Sequence, residues 1–108
     1  MRPSKPRLRL WVAALRSGEF VRGVGALRTE VGVATKYCPL GVACVVYQRR
    51  TGGRVNWQRG CLPEPVARWY GLPNGDPVVR GRDVISRSDA LGEPFERLAD
   101  EISREFNL

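Results

Sequence analysis

The strongest folding signal in this chain is an apolar stripe close to its C-terminal end. Apolar side chains recur there at helical spacing, at Phe95, Leu98, Ala99, Ile102 and Phe106. This period is typical of one face of an amphipathic helix, and Pro94 suits the first turn, where backbone amides have no partner within the helix. The pattern predicts a helix over about residues 93–107 that buries this face, so the chain has to fold around a packed core.

A second amphipathic segment covers about residues 5–17. Its apolar face carries Leu8, Trp11, Val12 and Leu15, again at the spacing of a helix. The chain has 108 residues, which is the usual size of one domain with one core. We therefore predict a flexible basic arm over residues 1–6 and a single globular domain over residues 7–108.

The middle of the chain contains sequence signals for both helices and strands. Glycines interrupt residues 20–37, where scattered Val, Leu and Thr favour short strands. Residues 38–47 fit either a helix or a buried strand, and Pro39, as a residue suited to a first turn, favours the helix. Beyond a polar loop over residues 48–54, the pattern predicts short elements: a strand at 55–58, a helix at 62–71, a turn at 73–77 and an extended pair at 78–79. The predicted class is α+β, with three to four helices around a small irregular antiparallel sheet.

Charge is distributed unevenly along the sequence. Residues 1–60 contain 12 Lys or Arg and 2 Asp or Glu, whereas residues 61–108 contain 6 and 9. A cationic region of this kind attracts phosphate or carboxylate groups before any specific contact forms. Arginine, which supplies nearly all of the positive charge, suits bidentate contacts with phosphate and stacking on bases.

These cations supply the predicted ligand-binding surface. Trp57 is the one tryptophan in a polar, basic neighbourhood, since Trp11 and Trp69 fall on apolar helical faces expected to be core. Trp57 is therefore the candidate for stacking on a nucleotide base. The full set of predicted ligand-binding residues is Arg22, Arg28, Lys36, Arg49, Arg50, Arg54, Trp57 and Arg59.

The residue types that most often act in catalysis or bind metals are either absent from the sequence or predicted at positions unsuited to an active site. The sequence has no histidine, which removes the commonest general base and the commonest metal ligand. The carboxylates Glu93, Glu96, Asp100 and Glu101 are predicted on the outer face of the last helix. Cys38, Cys44 and Cys61 lack the Cys-x-x-Cys spacing of a zinc site. We therefore expect no catalytic residue, no metal and no cofactor, with a Cys38-dependent enzyme as a weaker option, because a thiol at a helix N-terminus beside Lys36 is a candidate for activation.

The hydrophobic content is organised for a core and not for a membrane. Hydrophobic residues make up 43% of the chain, yet the longest apolar run, residues 40–47, is much shorter than the roughly 20 residues that span a bilayer. The basic start is not followed by the apolar stretch of a signal peptide. We expect a cytoplasmic protein with reduced thiols and no membrane partner.

Several segments in order resemble a family of small proteins of unassigned activity found in actinobacteria and their bacteriophages. The matching segments lie at residues 11–20, 23–28, 37–44, 62–72 and 92–102 and include Trp-Val-Ala-Ala-Leu-Arg-Ser-Gly, Cys-Pro-Leu-Gly-Val-Ala-Cys and Leu-Pro-Glu-Pro-Val-Ala-Arg-Trp-Tyr-Gly-Leu. The resemblance implies a phage-type accessory protein that acts by binding, either blocking a host or defence protein or sequestering a nucleotide signal.

Two function classes follow from these observations. The leading hypothesis is a non-enzymatic protein that binds a nucleotide or nucleic acid on its arginine-rich surface. The rival is an inhibitor that docks on an acidic host protein. Homodimerisation is compatible with both, because a chain this short offers little concave surface of its own.

Overall fold

The first and last helices of the domain pack against each other and enclose one side of the core. The computed structural model describes residues 2–108. The helices are α1 (Lys5–Arg16), α2 (Pro39–Thr51), α3 (Glu64–Tyr70), α4 (Val84–Asp89) and α5 (Phe95–Phe106). The strands are β1 (Val21–Arg22), β2 (Arg28–Val31), β3 (Ala34–Tyr37), β4 (Val78–Val79) and β5 (Arg82–Asp83).

Both amphipathic helices bury the apolar faces that their spacing predicts. The buried residues of α1 are Leu8, Trp11, Val12 and Leu15, and those of α5 are Leu98, Ala99 and Ile102. The indole Nε1 of Trp11 donates a hydrogen bond of 2.9 Å to the Pro39 carbonyl, which satisfies the only polar atom of that buried side chain. The predicted core role of Trp11 is confirmed.

Residues 38–47 form a helix, as Pro39 indicated. Pro39 occupies the first turn of α2, and the Cys38 sulfur accepts a hydrogen bond from the Gly41 amide at 3.4 Å. Most residues of α2 from Pro39 to Val46 are buried, which explains why the segment shows no clear amphipathic period. The helix continues to Thr51 and ends at Gly52, with φ of +71°, so the polar loop predicted from residue 48 begins later than expected.

The predicted α+β class is confirmed, with differences in detail. Within residues 2–108 there are five helices, and the three-stranded sheet has the order β1-β3-β2. Strands β2 and β3 form an antiparallel hairpin, but β1 runs parallel to β3, so the sheet is mixed and not purely antiparallel. Strands β4 and β5 form a separate antiparallel pair.

Two local predictions are wrong, the first because of a tertiary contact and the second because of a local side-chain cap. Residues 55–58 form no strand; Trp57 and Gln58 lie in a turn that hydrogen-bonds to the edge of β2. The segment after β5, where the sequence pattern predicts no helix, forms α4, whose N-terminal amide at Ser86 donates to the Asp83 carboxylate at 3.0 Å. Such side-chain capping stabilises even a short helix.

A buried ion pair joins α4 to the start of α5. The Arg87 guanidinium is nearly buried and donates to both carboxylate oxygens of Glu93, at 3.1 and 2.9 Å, and to the carbonyl of Val79. Glu93 also contacts Arg97 at 3.3 Å. Glu93 therefore lies inside the fold before α5 begins, and not on the outer face of the last helix.

The N-terminal segment is packed against the end of α3. Of the arm predicted over residues 1–6, Met1 lies outside the described residues, and Lys5 and Pro6 belong to α1. The Ser4 amide donates to the Tyr70 carbonyl at 2.8 Å. Gly71, with φ of +77°, lies so close to Arg2 that a Cβ there would be 2.1 Å from the Arg2 carbonyl oxygen. The mobility of the arm stays a prediction.

No helix within residues 2–108 has the length and apolar character needed to cross a membrane.

Candidate functional site

Three aromatic side chains from separate parts of the chain form a continuous row on one face of the sheet. Phe20 contacts Tyr37 edge to face with ring centroids 5.3 Å apart, and Tyr37 contacts Trp57 in the same way at 6.0 Å. All three are half-buried. We call Phe20, Tyr37 and Trp57 the aromatic row. Such edge-to-face pairs stabilise a fixed arrangement of rings.

An arginine lies at each end of the aromatic row. The Arg28 guanidinium carbon is 4.6 Å from the centre of the Trp57 ring, and the Arg49 guanidinium carbon is 5.6 Å from the centre of the Phe20 ring. Both distances fall within the range of cation–π attraction. The ring at each end of the row is thus paired with a positive charge.

Strand register explains why these residues meet. Arg28 on β2 lies opposite Tyr37 on β3, and Arg22 on β1 also lies opposite Tyr37, so all three side chains share one face of the sheet. The loop that carries Trp57 is held to the edge of β2: the Arg28 amide donates to the Trp57 carbonyl at 3.2 Å. The neighbouring Leu27 amide donates to the Arg59 carbonyl at 2.8 Å.

The structure brings some of the predicted ligand-binding residues together and separates others. Arg28, Arg49 and Trp57 lie along the aromatic row. Arg22 shares their face, but its guanidinium donates to the Ser88 carbonyl at 3.1 Å, and its Nε is buried with no hydrogen-bond partner among the described residues. Lys36 lies on the opposite face, across from Val21.

The remaining predicted cations are at the surface. Arg50 and Arg54 are exposed, near the end of α2 and in the loop after it. Arg59 is also exposed, and its guanidinium lies 3.9 Å from the Cys61 sulfur. A role in ligand binding stays a prediction for every residue of the set.

The uneven charge of the sequence persists in the folded domain. Four ion pairs join residues within the acidic second half: Glu64 with Arg68, Arg80 with Glu101, and Glu93 with both Arg87 and Arg97. In the part of residues 1–60 that the structure describes, Arg16 and Arg49 are the cations that form ion pairs. Of the second-half acids in ion pairs among the described residues, Asp100 is the one that pairs with a first-half cation, so ion pairs leave most of the first-half cations without a counter-charge.

Open clefts border this region, two of them on the side of Trp57 and Arg59. A cleft of about 270 Å³ beside Trp57 is lined by Arg28, Glu30 and Gln58. A larger one of about 470 Å³ lies between the loop at Arg59 and helix α3, and Cys61 and Arg68 line it. Both are open to solvent, so they are accessible to a ligand that lies along the surface.

The cysteines offer no assembled site. Cys44 is fully buried, and this burial raises the pKa of its thiol to about 12. Cys38 is also buried and accepts the Gly41 amide, whereas Cys61 is half-exposed. Among the side chains described, no three Cys, Asp or Glu residues lie close enough to hold a metal ion.

These differences in exposure predict selective labelling. In the native protein, iodoacetamide is expected to modify Cys61, and to modify Cys38 and Cys44 only after unfolding, because burial shields a thiol from the reagent. Mass spectrometry of the intact and digested protein measures this. Rapid native modification of Cys38 would contradict the observed burial and would favour the thiol-enzyme option.

Sequence reasoning missed Phe20, Glu19 and Glu30 as members of this region. No local signal marks Phe20, because its partners, Tyr37 and Arg49, are distant in sequence and meet it only in the folded domain. Trp57 was found because its neighbours along the chain are basic. Trp69, predicted as core, is half-buried and lies under the Arg7 guanidinium at 4.7 Å.

Comparison with known proteins gives one match. A family model described as Domain of unknown function (DUF8296) matches residues 5–105, a range that contains the whole aromatic row and both of its arginines. Neither the curated proteins nor the solved structures give a match.

Proposed function

The chain belongs to the DUF8296 family, and because membership assigns no activity, we propose from its geometry that it is a non-enzymatic domain that binds single-stranded nucleic acid. The bases would stack at the aromatic row, and the arginines around it would contact phosphates.

The observation that carries this proposal is the stacked pair of Arg28 and Trp57. The guanidinium lies 4.6 Å from the indole centre, and both side chains line one open cleft. Proteins that bind single strands combine positively charged grooves with aromatic side chains on which bases stack, and arginine planes serve as stacking platforms too. Arg28 and Trp57 supply both features at one point.

Two further features favour an extended single strand of nucleic acid, and not a single nucleotide, as the ligand. The row continues from Trp57 through Tyr37 to Phe20, where Arg49 supplies a second positive charge. The cleft beside Trp57 is open to solvent, whereas pockets for small ligands usually enclose most of the ligand. Other exposed cations, Arg50, Arg54 and Arg59, would add contacts that do not depend on sequence.

The biological setting is also part of the proposal. The resemblance to small actinobacterial and bacteriophage proteins supports an accessory role in the host cytoplasm, such as counteracting a host defence. This part rests on the sequence motifs alone and not on the geometry of the site.

A second candidate is the protein inhibitor. Valines are exposed at the tip of the β2–β3 hairpin and near β1, at Val31 and Val33 and at Val21 and Val24. Exposed apolar side chains beside uncompensated cations suit a partner with an apolar and acidic surface.

Binding of a short labelled single-stranded oligonucleotide, followed by fluorescence anisotropy, tests the proposal. The affinity is expected to fall as salt rises, with a slope of about −0.7 per neutralised phosphate. Trp57→Ala is expected to weaken binding by about 5- to 150-fold, the equivalent of about 1–3 kcal/mol for one lost base stack. Arg28→Gln is expected to weaken it and to reduce the salt slope by about one phosphate.

Arg82→Gln is the matched control for Arg28→Gln. Arg82 is exposed on β5, outside the row, and its loss changes the net charge by the same amount. Equal losses in the two variants would indicate attraction to overall charge and would contradict the proposal. Absence of binding at low salt would also contradict it, and a rise in Tm with a mononucleotide alone would favour a small nucleotide ligand.

A further inference from the structure

The cationic half of the chain contains two acidic residues, and both lie beside the arginines of the aromatic row. Glu19 and Glu30 are the only Asp or Glu in residues 1–60. Glu19 forms an ion pair with Arg49, and Glu30 lines the same cleft as Arg28 and Trp57. The two carboxylates thus lie where the phosphates of an anionic ligand would bind.

Glu19 holds Arg49 by a two-point contact. The Arg49 Nη1 donates to the Glu19 Oε2 at 3.1 Å, and the Arg49 Nη2 donates to Oε1. This contact lowers the pKa of the Glu19 carboxyl, which is therefore charged near neutral pH. A bidentate carboxylate uses the same two guanidinium donors that a phosphate uses.

The loop before β1 fixes the position of Glu19. Gly18 adopts φ of +76°, a conformation that favours glycine, at the end of α1. The Glu19 amide then donates to the Ser17 hydroxyl at 3.1 Å. Phe20, the next residue, lies under the Arg49 guanidinium. The Glu19 carboxylate and the Phe20 ring, from adjacent residues, thus both contact the Arg49 guanidinium.

Stability does not explain this ion pair. The two side chains keep 56% and 47% of their exposure, and exposed pairs contribute little to stability. Glu64 and Arg68 form a comparable exposed pair on α3, with 77% and 63% exposure, outside the aromatic row. The two pairs are alike in chemistry and differ in location, so they allow a matched comparison.

We infer that the Glu19–Arg49 ion pair is an autoinhibitory contact at one end of the aromatic row. In this contact the Glu19 carboxylate occupies the position of a ligand phosphate. The carboxylate must be displaced before a single-stranded nucleic acid can bind along the full row. This inference rests on the proposed function. It makes Glu19 a residue that limits affinity and favours ligands long enough to reach from Trp57 to Arg49.

Glu19→Gln tests the inference with the same oligonucleotide. The variant is expected to bind up to about fivefold more tightly, which is the upper end of the equilibrium equivalent of an exposed ion pair. Its salt slope is expected to be steeper by about 0.7, because one more phosphate is neutralised. The double variant Glu19→Gln/Arg49→Gln is expected to lose the gain, since no cation remains at that end.

Glu64→Gln is the control, because it removes one negative charge from an exposed ion pair elsewhere. An equal gain in both variants would show a general charge effect and would overturn the inference. Wild-type binding that Trp57→Ala weakens but Glu19→Gln leaves unchanged would overturn the inference and leave the proposed function standing. Failure of the wild type and of both glutamine variants to bind would overturn both. Thermal unfolding of each variant checks that the fold is kept.

Discussion

Gly41→Ala is expected to lower the free energy of unfolding by about 3 kcal/mol or more, at the upper end of the range for overpacked interiors. Gly41 lies in α2 where this helix crosses the backbone at Leu27. A Cβ at Gly41 would be 1.9 Å from the Leu27 carbonyl oxygen and 2.8 Å from its carbonyl carbon. The obstacle is backbone, so no change of side-chain rotamer relieves it.

The Leu27 backbone cannot move away easily. Its carbonyl accepts the Cys38 amide at 3.3 Å, and its amide donates to the Arg59 carbonyl at 2.8 Å. Moving it would break the bonds that hold the Trp57 loop to β2, so oligonucleotide binding is expected to weaken as well. Chemical denaturation measures the stability change, since the midpoint falls with the free energy of unfolding.

Gly60→Ala is the control for this prediction. Gly60 is exposed, its φ is not in the left-handed region, and a Cβ there would meet only the Gly25 carbonyl oxygen at 3.4 Å. Its effect on stability is expected to be within about 0.5 kcal/mol. A Gly41→Ala protein as stable as the Gly60→Ala protein would contradict the close approach of α2 to Leu27.

Glu93→Ala is expected to destabilise the domain by about 3–5 kcal/mol, because it leaves the Arg87 charge buried without its carboxylate. Arg87 would keep the carbonyls of Val79 and Arg80 as acceptors but no counter-charge. For a domain of this size the expected fall in Tm is more than about 12 °C. Thermal unfolding followed by circular dichroism measures it.

Two further variants separate the ion pair from local packing. Glu96→Ala removes an exposed carboxylate in the first turn of α5 and is expected to change stability by no more than about 1 kcal/mol. The double variant Arg87→Met/Glu93→Leu is expected to be more stable than Glu93→Ala alone, since no unpaired charge remains. A double variant as unstable as the single one would show that the pair matters through shape and not through charge.

The two long amphipathic helices were predictable because one local pattern determines each of them. In α1 and α5 the apolar spacing matches the helical period over three turns, and the same side chains become the buried face. The prediction of helix α2 was less certain because this helix is buried on most sides. Its sequence therefore lacks the contrast between an apolar face and a polar face. There Pro39 supplied the deciding signal.

The sheet was only partly predictable. The β2–β3 hairpin is local, and Gly32, with φ of +61°, occupies its two-residue turn, where glycine at the first position is typical. The parallel pairing of β1 with β3 involves residues whose side chains carry no sign of their partner. Helix α4 was missed because its Asp83 cap stands in a polar segment that resembles a loop.

The candidate site, too, was only partly predictable from the sequence. Trp57 and the arginines were identifiable by residue type and by the charge of their surroundings. Their arrangement was not, because Arg28 meets Trp57 through the strand edge and Arg49 meets Phe20 from a separate helix. The ion pair of Glu19 with Arg49 depends on the same packing of distant segments, which no local pattern encodes.

The packing of α1 against α5 has a consequence for how the protein is made. The ribosome releases α1 first, but the part of its apolar face that packs against α5 finds this partner only when residues 95–106 have been synthesised. At about 5–20 residues per second, that part of the face stays uncovered for several seconds on the nascent chain. The strongly basic first half, which repels its own copies, would keep neighbouring nascent chains apart during that interval.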